Sequence, residues 1–369
     1  MRQLLFSAFD NSRTWSIDPE TSLWIGALYA LLLMFVLVRA RKNFLSLPEL
    51  ASCPPSPHSD CMVVIPARDE AAIIGRAVRS LPADTVLVVD DNSSDATAKE
   101  AEEAGAGVLR APKLPRGAVG KQHACMIGAK AVQSRWILFA DADTWFEDGL
   151  IESAIHAAQA DNLAFLSIHL HFESESIAEH IITPYAHALF FSAVNPRKNP
   201  DEAFDGRCIL VRRDAYEFIG GHAVSLSYLV DDVKLASLAQ RHRMRLGLAR
   251  TSELGHARLH YGFSGLWSGI ERNAHRFTLL RATQGAAVLL TALVAALWLP
   301  MIIYLLISGQ SIAAAVLGVL LLVLLGPWYG SFLTVFLAPF AVYAILPILI
   351  NATLRVLGTV SVEWKGRRI

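Results

Sequence analysis

The chain has 369 residues, of which 53% are hydrophobic and only 18% are charged. Soluble globular proteins carry about 25% charged residues, so part of this chain is expected to lie in a lipid bilayer. Lysine plus arginine balances aspartate plus glutamate at 33 each, which argues against a nucleic acid as the partner. The cysteines form no Cys-x-x-Cys pair, a pattern that argues against zinc and redox motifs and favours buried thiols: Cys53, Cys61, Cys125 and Cys208.

The first predicted element is an uncharged apolar run at residues 23–38, followed at once by Arg39, Arg41 and Lys42. A signal peptide carries its basic residues before the apolar run, so this order instead predicts a signal anchor whose C-terminal flank faces the cytoplasm. We assign residues 1–45 to a membrane anchor. Residues 46–60 are rich in proline and serine and predict an irregular linker.

Residues 61–261 have the sequence pattern of an α/β domain. Short apolar runs predict strands at 62–66, 85–89 and 136–140, and helical patterns lie at 71–81 and 95–104. Strands that alternate with helices at this spacing predict a mostly parallel sheet with helices on both faces.

Each of the three predicted strands ends in a polar or acidic cluster, at residues 67–70, 90–95 and 141–143. In any one cluster the acids are explained as readily by helix capping, and Ser94 or Asp95 would cap the helix that follows. Three clusters at one edge of a sheet are harder to explain in that way, because ligands gather at the carboxyl ends of parallel strands. Asp90 and Asp91 could accept hydrogen bonds from a base or a ribose hydroxyl.

Asp141 and Asp143 stand two residues apart at the end of a strand, so both carboxylates can reach one divalent cation. Oxygen ligands suit Mg²⁺ or Mn²⁺, and such an ion can bridge the oxygens of a diphosphate. Lys121 precedes a helical pattern at 122–132 and could contact a diphosphate, although a surface lysine explains it as well when taken alone.

Asp231 and Asp232 begin a further helical pattern, just after Gly220-Gly221-His222. One of them could act as a general base for an acceptor hydroxyl. The alternative is that acidic residues at a helix start complement the helix dipole, and taken alone this explanation is the stronger one.

The C-terminal third is strongly apolar. Residues 262–284 form an amphipathic segment with Phe263, Trp267 and Phe277, which predicts a helix at the membrane interface or, alternatively, one packed on the catalytic domain. Uncharged runs at 285–307, 312–325 and 331–350 predict two or three membrane helices within 285–351. The tail, 352–369, is basic and should prefer the cytoplasm.

Taken in order, these motifs resemble the family-2 inverting glycosyltransferases of the GT-A fold over residues 62–281. The motifs are Val64-Ile65-Pro66-Ala67-Arg68-Asp69-Glu70, Val89-Asp90-Asp91-Asn92-Ser93-Ser94-Asp95-Ala96-Thr97, Gly120-Lys121, Asp141-Ala142-Asp143, Gly221-His222 and Asp231-Asp232. The N-terminal anchor, the C-terminal spans and the ending Val362-Glu363-Trp364-Lys365-Gly366-Arg367 are similar to the lipid-modifying branch, whose members act on carotenoid acids, hopanoids and ceramide.

The resemblance implies roles for individual residues. Glu70, Asp90 and Asp91 would hold the nucleoside, Lys121 the diphosphate, and Asp141 with Asp143 the metal and the donor sugar. Asp232 would be the base, with Asp231 as the alternative because the family usually has Glu-Asp at this motif. The whole donor-binding set that it implies is Pro66, Ala67, Arg68, Glu70, Asp90, Asp91, Lys121, Asp141 and Arg276.

The implied function is inverting transfer of a sugar from a UDP- or GDP-sugar to a hydroxyl or carboxyl of a membrane lipid. The implied location is the cell (inner) membrane, with several spans and a cytoplasmic catalytic domain. Alternatives are a membrane polysaccharide synthase, a polyprenyl-phosphate sugar transferase, or a nucleotide-sugar-binding scaffold. Asn273 and Phe277 replace the usual neighbours of Arg276 in the family's arginine motif, which disfavours a processive synthase.

Overall fold

The structure is a computed structural model that describes residues 18–56, 60–227, 231–258, 262, 265–267, 269–271, 282–357, 363–364 and 367–368. Its helices are α1 (Pro19–Leu45), α2 (Ile74–Arg79), α3 (Thr97–Glu103), α4 (Gly120–Ala131), α5 (Leu150–Ala160), α6 (Ile177–Ala193), α7 (Arg213–Phe218), α8 (Asp231–Arg241), α9 (Ala282–Ala296), α10 (Trp298–Ile307), α11 (Ser311–Leu325), α12 (Phe332–Leu337) and α13 (Ala341–Leu357). Its strands are β1 (Cys61–Ala67), β2 (Val86–Asp90), β3 (Gly107–Arg110), β4 (Trp136–Ala140), β5 (Thr144–Phe146), β6 (Phe165–His169), β7 (His171–Phe172), β8 (Cys208–Arg212), β9 (Leu246–Arg250), β10 (Gly255–Ala257), β11 (Glu363–Trp364) and β12 (Arg367–Arg368).

The central sheet has seven strands in the order β3-β2-β1-β4-β8-β6-β9. All neighbouring pairs are parallel except those of β8, which runs antiparallel to β4 and β6. Alternate side chains of β1 point to opposite faces, so Val63 and Ile65 join one buried cluster and Val64 joins the other. The predicted α/β fold with a mostly parallel sheet is confirmed, with β8 as the exception.

Two predicted helices begin later than their sequence patterns indicate. The helix predicted from residue 71 begins at Ile74, and the one predicted from residue 95 begins at Thr97. The residues in between belong to polar loops, where the backbone N–H groups of Ala71 and Thr97 both donate to the Asp95 carboxylate. Short polar side chains that bind nearby backbone in this way compete with the first helical turn.

The described residues that follow α1, up to residue 56, form no further helix, and they are fastened to the sheet. The N–H of Leu50 donates to the carbonyl of Arg250 at 2.8 Å, and the N–H of Arg250 donates to the carbonyl of Pro48 at 2.9 Å. Glu49 adds an ion pair with Arg250. All four cysteines are free, and three of them are buried, in agreement with the prediction of plain thiols.

Four helical segments within the described residues are long and apolar enough to cross a membrane: Pro19–Leu45, Gly285–Ile307, Ser311–Trp328 and Phe332–Leu354. Helix α6 joins these segments to the sheet domain. It packs along α1 and contacts α9 and α13, and Ile182, Tyr185 and Leu189 enter the apolar cluster of the bundle. The buried amide of Asn43 donates to the carbonyl of Phe191 at 2.8 Å.

One carbonyl in the helix bundle lacks its usual helical donor because of a proline. A tyrosine hydroxyl donates to that carbonyl instead. Pro300 has no N–H to give to the carbonyl of Ala296, four residues earlier, and the helix is interrupted at Leu297 between α9 and α10. The hydroxyl of Tyr343 donates to that carbonyl at 2.6 Å. In lipid, where water cannot take over, such a bond fixes α13 against the kink.

We expect Tyr343→Phe to lower the free energy of unfolding by about 1 kcal/mol, because the Ala296 carbonyl loses its donor. The test is thermal unfolding in detergent, measured also in a Pro300→Ala background. In that background the backbone N–H at position 300 can donate to the Ala296 carbonyl. Tyr343→Phe should then lower the free energy of unfolding by much less. Equal costs in the two backgrounds would contradict this account of the kink.

Candidate active site

The predicted clusters meet at one edge of the sheet, around a cleft of about 290 Å³. The cleft is lined by Pro66, Ala67, Arg68, Glu70, Asp91, Gly120, Lys121, Ala124, Asp141, Ala142 and Asp143. Its floor is the carboxyl ends of β1 and β4 and the start of α4, because parallel neighbouring strands end on the same side. Most of the sequence-predicted donor residues therefore lie together.

The acidic residues of the first two clusters have two roles. Some accept hydrogen bonds from the backbone of neighbouring loops, and others line the cleft. Asp69 adopts a left-handed backbone (φ 52°), and its carboxylate accepts the backbone N–H of Ser94 at 2.7 Å. Asp95 accepts from Ala71 and Thr97 in the same way, so these acids tie the β1 and β2 loops together. Asp90 is also turned to the backbone and accepts from the N–H of Ser93 at 3.0 Å. It is not among the residues that line the cleft.

Arg68 is held over the side of the cleft by Asp91. Its Nη1 donates to the Asp91 carbonyl at 2.9 Å and lies 3.7 Å from the Asp91 carboxylate. Arg68, Glu70 and Asp91 together place one cation and two carboxylates beside the carboxyl ends of β1 and β2. Hydrogen-bond acceptors and a planar cation in one place suit a nucleoside with polar edges.

Lys121, in the first turn of α4, is anchored at the centre of the cleft. Its Nζ lies 2.5 Å from Oδ1 of Asp141 and donates to the carbonyl of Gly206 at 3.1 Å. Burial opposes its charge, but the carboxylates of Asp141 and Asp231 keep the pKa of Lys121 above its ordinary value. The lysine therefore carries a fixed positive charge where an anionic group would lie.

Asp143 is the strongest candidate for a metal ligand. Its Oδ1 is buried without a hydrogen-bond partner among the described residues. Burial first, and then the Asp141 carboxylate, raise the pKa of Asp143 to about 7. A bound cation would stabilise the charged form of this buried carboxylate. With Asp141 it forms a set of two carboxylate ligands. In the part of the chain that the structure describes, no group of three or more His, Cys, Asp and Glu side chains is arranged to hold a metal ion. Mg²⁺ is commonly held by one or two carboxylates plus substrate phosphates.

The start of β8 contributes residues that the sequence reasoning missed. Because β8 is antiparallel to β4, its first residue pairs with Ala140, and the preceding Asp205-Gly206-Arg207 lies at the same edge as Asp141. The N–H of Asp141 donates to the Arg207 carbonyl at 3.0 Å, and Arg207 forms an ion pair with Asp205. Burial opposes ionisation of Asp205, but Arg207 lowers its pKa to about 2. The available signal was a polar triplet before an apolar run.

The two carboxylates at the start of α8 face different neighbours, and both are buried. Asp231 lines a small void of about 10 Å³ behind the cleft, together with Pro66, Lys121 and Asp141. Asp232 packs on Gly206, where an added Cβ would stand 3.0 Å from Oδ2 of Asp232. Its Oδ1 accepts the N–H of Val233 at 2.7 Å.

A hydrogen-bonded chain orients Asp231. Nε2 of His222 lies 3.3 Å from the Asp231 carboxylate, and Nδ1 lies 2.8 Å from the hydroxyl of Tyr216. That hydroxyl also accepts the backbone N–H of His222 at 2.9 Å. The pattern favours Tyr216 donating to Nδ1, with the imidazole proton on Nε2 toward Asp231. Gly221, with φ 52°, permits the approach, because a Cβ there would stand 2.4 Å from the Tyr216 ring.

Arg276 lies outside the described residues, as do Phe263 and Phe277, so the predicted arginine and the amphipathic pattern are not located. Trp267 is described and is partly buried.

The sheet order, the acidic edge and the appended helices define a GT-A glycosyltransferase fold. The chain is similar to a mannosyltransferase from Pyrobaculum calidifontis solved in complex with GDP-Man and Mn²⁺, with a TM-score of 0.54 over 92% of this chain and 99% of that one. At 16% identity this likeness shows the fold. Residues 62–220 match the model of glycosyl transferase family 2, so the chain carries a domain of that family, as its motifs predicted.

Curated relatives carry a more specific name. The chain is 29% identical over 194 residues to a 4,4'-diaponeurosporenoate glycosyltransferase of Staphylococcus aureus, covering 49% of this chain and 51% of that protein. The protein of the same name from Staphylococcus haemolyticus is 28% identical over 200 residues, with coverages of 48% and 51%. The chain thus spans about half the length of the curated relatives that it matches.

Proposed function

We propose that this protein is an inverting glycosyltransferase that moves a sugar from a UDP- or GDP-sugar to a hydroxyl or carboxyl of a membrane lipid. The observation that carries the proposal is the cleft with Lys121, Asp141 and Asp143, in a domain that α6 attaches directly to a bundle of apolar helices. Asn273 and Phe277, in place of the usual neighbours of Arg276, disfavour a processive polysaccharide synthase.

The donor side rests on the charges in the cleft. Arg68, Glu70 and Asp91 offer hydrogen bonds to the nucleoside, and Lys121 offers a fixed cation to the diphosphate at the start of α4. A Mg²⁺ or Mn²⁺ ion held by Asp141 and Asp143 would supply Lewis-acid neutralisation of the diphosphate. The mannosyltransferase of similar fold was solved with GDP-Man and Mn²⁺, which is consistent with this class of donor and cation.

The transfer step is assigned to the carboxylates at the start of α8. Asp232 would accept the proton of the acceptor hydroxyl, and the oxygen would attack the anomeric carbon from the face opposite the leaving diphosphate, so that configuration inverts. Lys121 would stabilise the negative charge that develops on the leaving group. A carboxylate acceptor has no proton to lose, so the base role of Asp232 applies to a hydroxyl acceptor.

The acceptor side rests on contacts that run from the cleft to the helix bundle. Arg207 stacks on the ring of Phe172 at 4.7 Å, and that ring contacts His187 of α6 at 5.1 Å. His187 in turn contacts Trp328 at 5.8 Å, three residues after the end of α11. A series of ring contacts between bundle and cleft suits an apolar acceptor, and the curated relatives are named for a carotenoid acid.

The function is tested by incubating membranes that contain the protein with radiolabelled UDP- and GDP-sugars and identifying extracted products by mass spectrometry. We expect label in a neutral or acidic glycolipid that is absent with Asp143→Asn. Label in a non-extractable polymer, or in an acid-labile polyprenyl phosphate, would instead favour the two alternative transferases.

We further propose that the protein lies in the cell membrane with its sheet domain in the cytoplasm, because Arg39, Arg41 and Lys42 follow the first span. Protease added to right-side-out vesicles should leave the sheet domain intact, whereas inverted vesicles should expose it. Lysed vesicles serve as the control for cleavability. Digestion from the outside would refute this orientation.

A further inference from the structure

Another cavity lies between the last turn of α1, the last turn of α11 and the loop after α6. It encloses about 520 Å³. Its walls are Leu37, Val38, Arg41, Lys42, Asn43, Leu45, Ser46, Asn195, Arg197, Val323, Leu324 and Pro327. It shares no lining residue with the cleft, so the sugar-transfer chemistry does not account for it.

The groove combines three positive charges with no counter-charge. Arg41, Lys42 and Arg197 line it, and none of its described lining residues is acidic. Within the described part of the chain, none of these three cations forms an ion pair. The Arg41 guanidinium is held over the rings of Phe44, at 5.5 Å, and Trp328, at 5.6 Å. An anion that enters here would meet cations already in place.

The other wall is apolar and open toward the surroundings of the bundle. Val38 is 49% exposed and Val323 is 64% exposed, and both belong to segments long and apolar enough to cross a membrane. The basic side chains follow at the end of α1, and Trp328 follows at the end of α11. Tryptophan and basic residues at the end of an apolar helix are typical of the membrane–water interface.

We infer that this groove binds one anionic glycerophospholipid, with the phosphate against Arg41, Lys42 and Arg197 and an acyl chain along Leu37, Val38 and Val323. Charge complementarity carries the choice, since a basic pocket between membrane helices attracts anionic head groups. The apolar wall distinguishes a lipid from a free phosphate, which would leave that wall uncovered. The lipid would join α1 to α11 and to the loop at Asn195.

The test uses the full chain in phosphatidylcholine nanodiscs that contain a small fraction of phosphatidylglycerol, with native mass spectrometry of retained lipid. We expect Arg41→Gln with Arg197→Gln to weaken phosphatidylglycerol retention by about fivefold for each charge removed. Phosphatidylcholine retention should not change. The matched control is Arg39→Gln with Lys198→Gln, which removes two exposed charges next to the groove but outside its lining. It should shift retention by less than about twofold.

Equal losses in the two double variants would overturn the inference, as would unchanged retention in Arg41→Gln with Arg197→Gln. Thermal unfolding in detergent shows whether each variant is folded. If the pair with Arg41 unfolds, Arg197→Gln alone, on an exposed loop, still has to weaken retention. Retinoic acid, a carboxylate lipid without phosphate, is the competitor. If it displaces phosphatidylglycerol at equal concentration, the groove admits acceptors and the proposal is wrong.

Discussion

Asp232→Asn is expected to slow sugar transfer by about 10²–10⁴-fold, because the amide keeps the size of the side chain but cannot accept a proton. Donor affinity should stay close to that of the unchanged protein, since Glu70, Asp91 and Lys121 are untouched. The measurement is the single-turnover rate beside nucleotide affinity, with thermal unfolding as the control for folding. The effect applies to a hydroxyl acceptor, which has to lose its proton.

Two further variants separate Asp232 from its neighbour. Asp231→Asn should cost less in rate but weaken donor binding, since Asp231 faces Lys121 and is tied to His222. Gly206→Ala adds a Cβ 3.0 Å from Oδ2 of Asp232 and should lower the rate by displacing that carboxylate. If Asp231 proves indispensable and Asp232 does not, the base is Asp231. If both only destabilise the fold, their role is at the helix start and the base lies elsewhere.

Chelation of divalent cations is expected to abolish transfer, and added Mn²⁺ or Mg²⁺ to restore it, with a loss of about 10³-fold or more. The physical reason is that the buried Oδ1 of Asp143 has no hydrogen-bond partner among the described residues, while burial and Asp141 disfavour its charge. A bound divalent ion would give Oδ1 a partner and would stabilise the charged form of the carboxylate. The same reasoning predicts that Asp143→Asn abolishes the Mn²⁺ dependence of nucleotide binding.

Calorimetry of Mn²⁺ binding in the presence of UDP or GDP tests the site without relying on turnover. The matched control is Asp148→Asn, an exposed carboxylate five residues further along that does not line the cleft. It should bind Mn²⁺ as the unchanged protein does. Full activity in excess chelator, or equal Mn²⁺ binding by both variants, would show that Asp143 serves another purpose.

The sequence alone determined the elements whose signal is local. Short buried apolar runs predicted β1, β2 and β4 to within a residue or two, because a strand covered on both faces needs continuous apolar side chains. The acidic clusters after them could be placed at one edge, since parallel neighbours end on the same side. The membrane segments followed from their length and lack of charge.

Only the tertiary structure decided which polar side chains face the cleft. Asp91 lines it, whereas Asp90 turns to the backbone of Ser93, and both follow the same strand. The partner of a short polar side chain depends on which loop lies beside it, and that neighbour is distant in sequence. The antiparallel direction of β8 likewise depends on neighbours that are distant in sequence. Strand direction is set by the connections and partners of the whole sheet, so the polar triplet before β8 could not by itself place Asp205 and Arg207 beside the site.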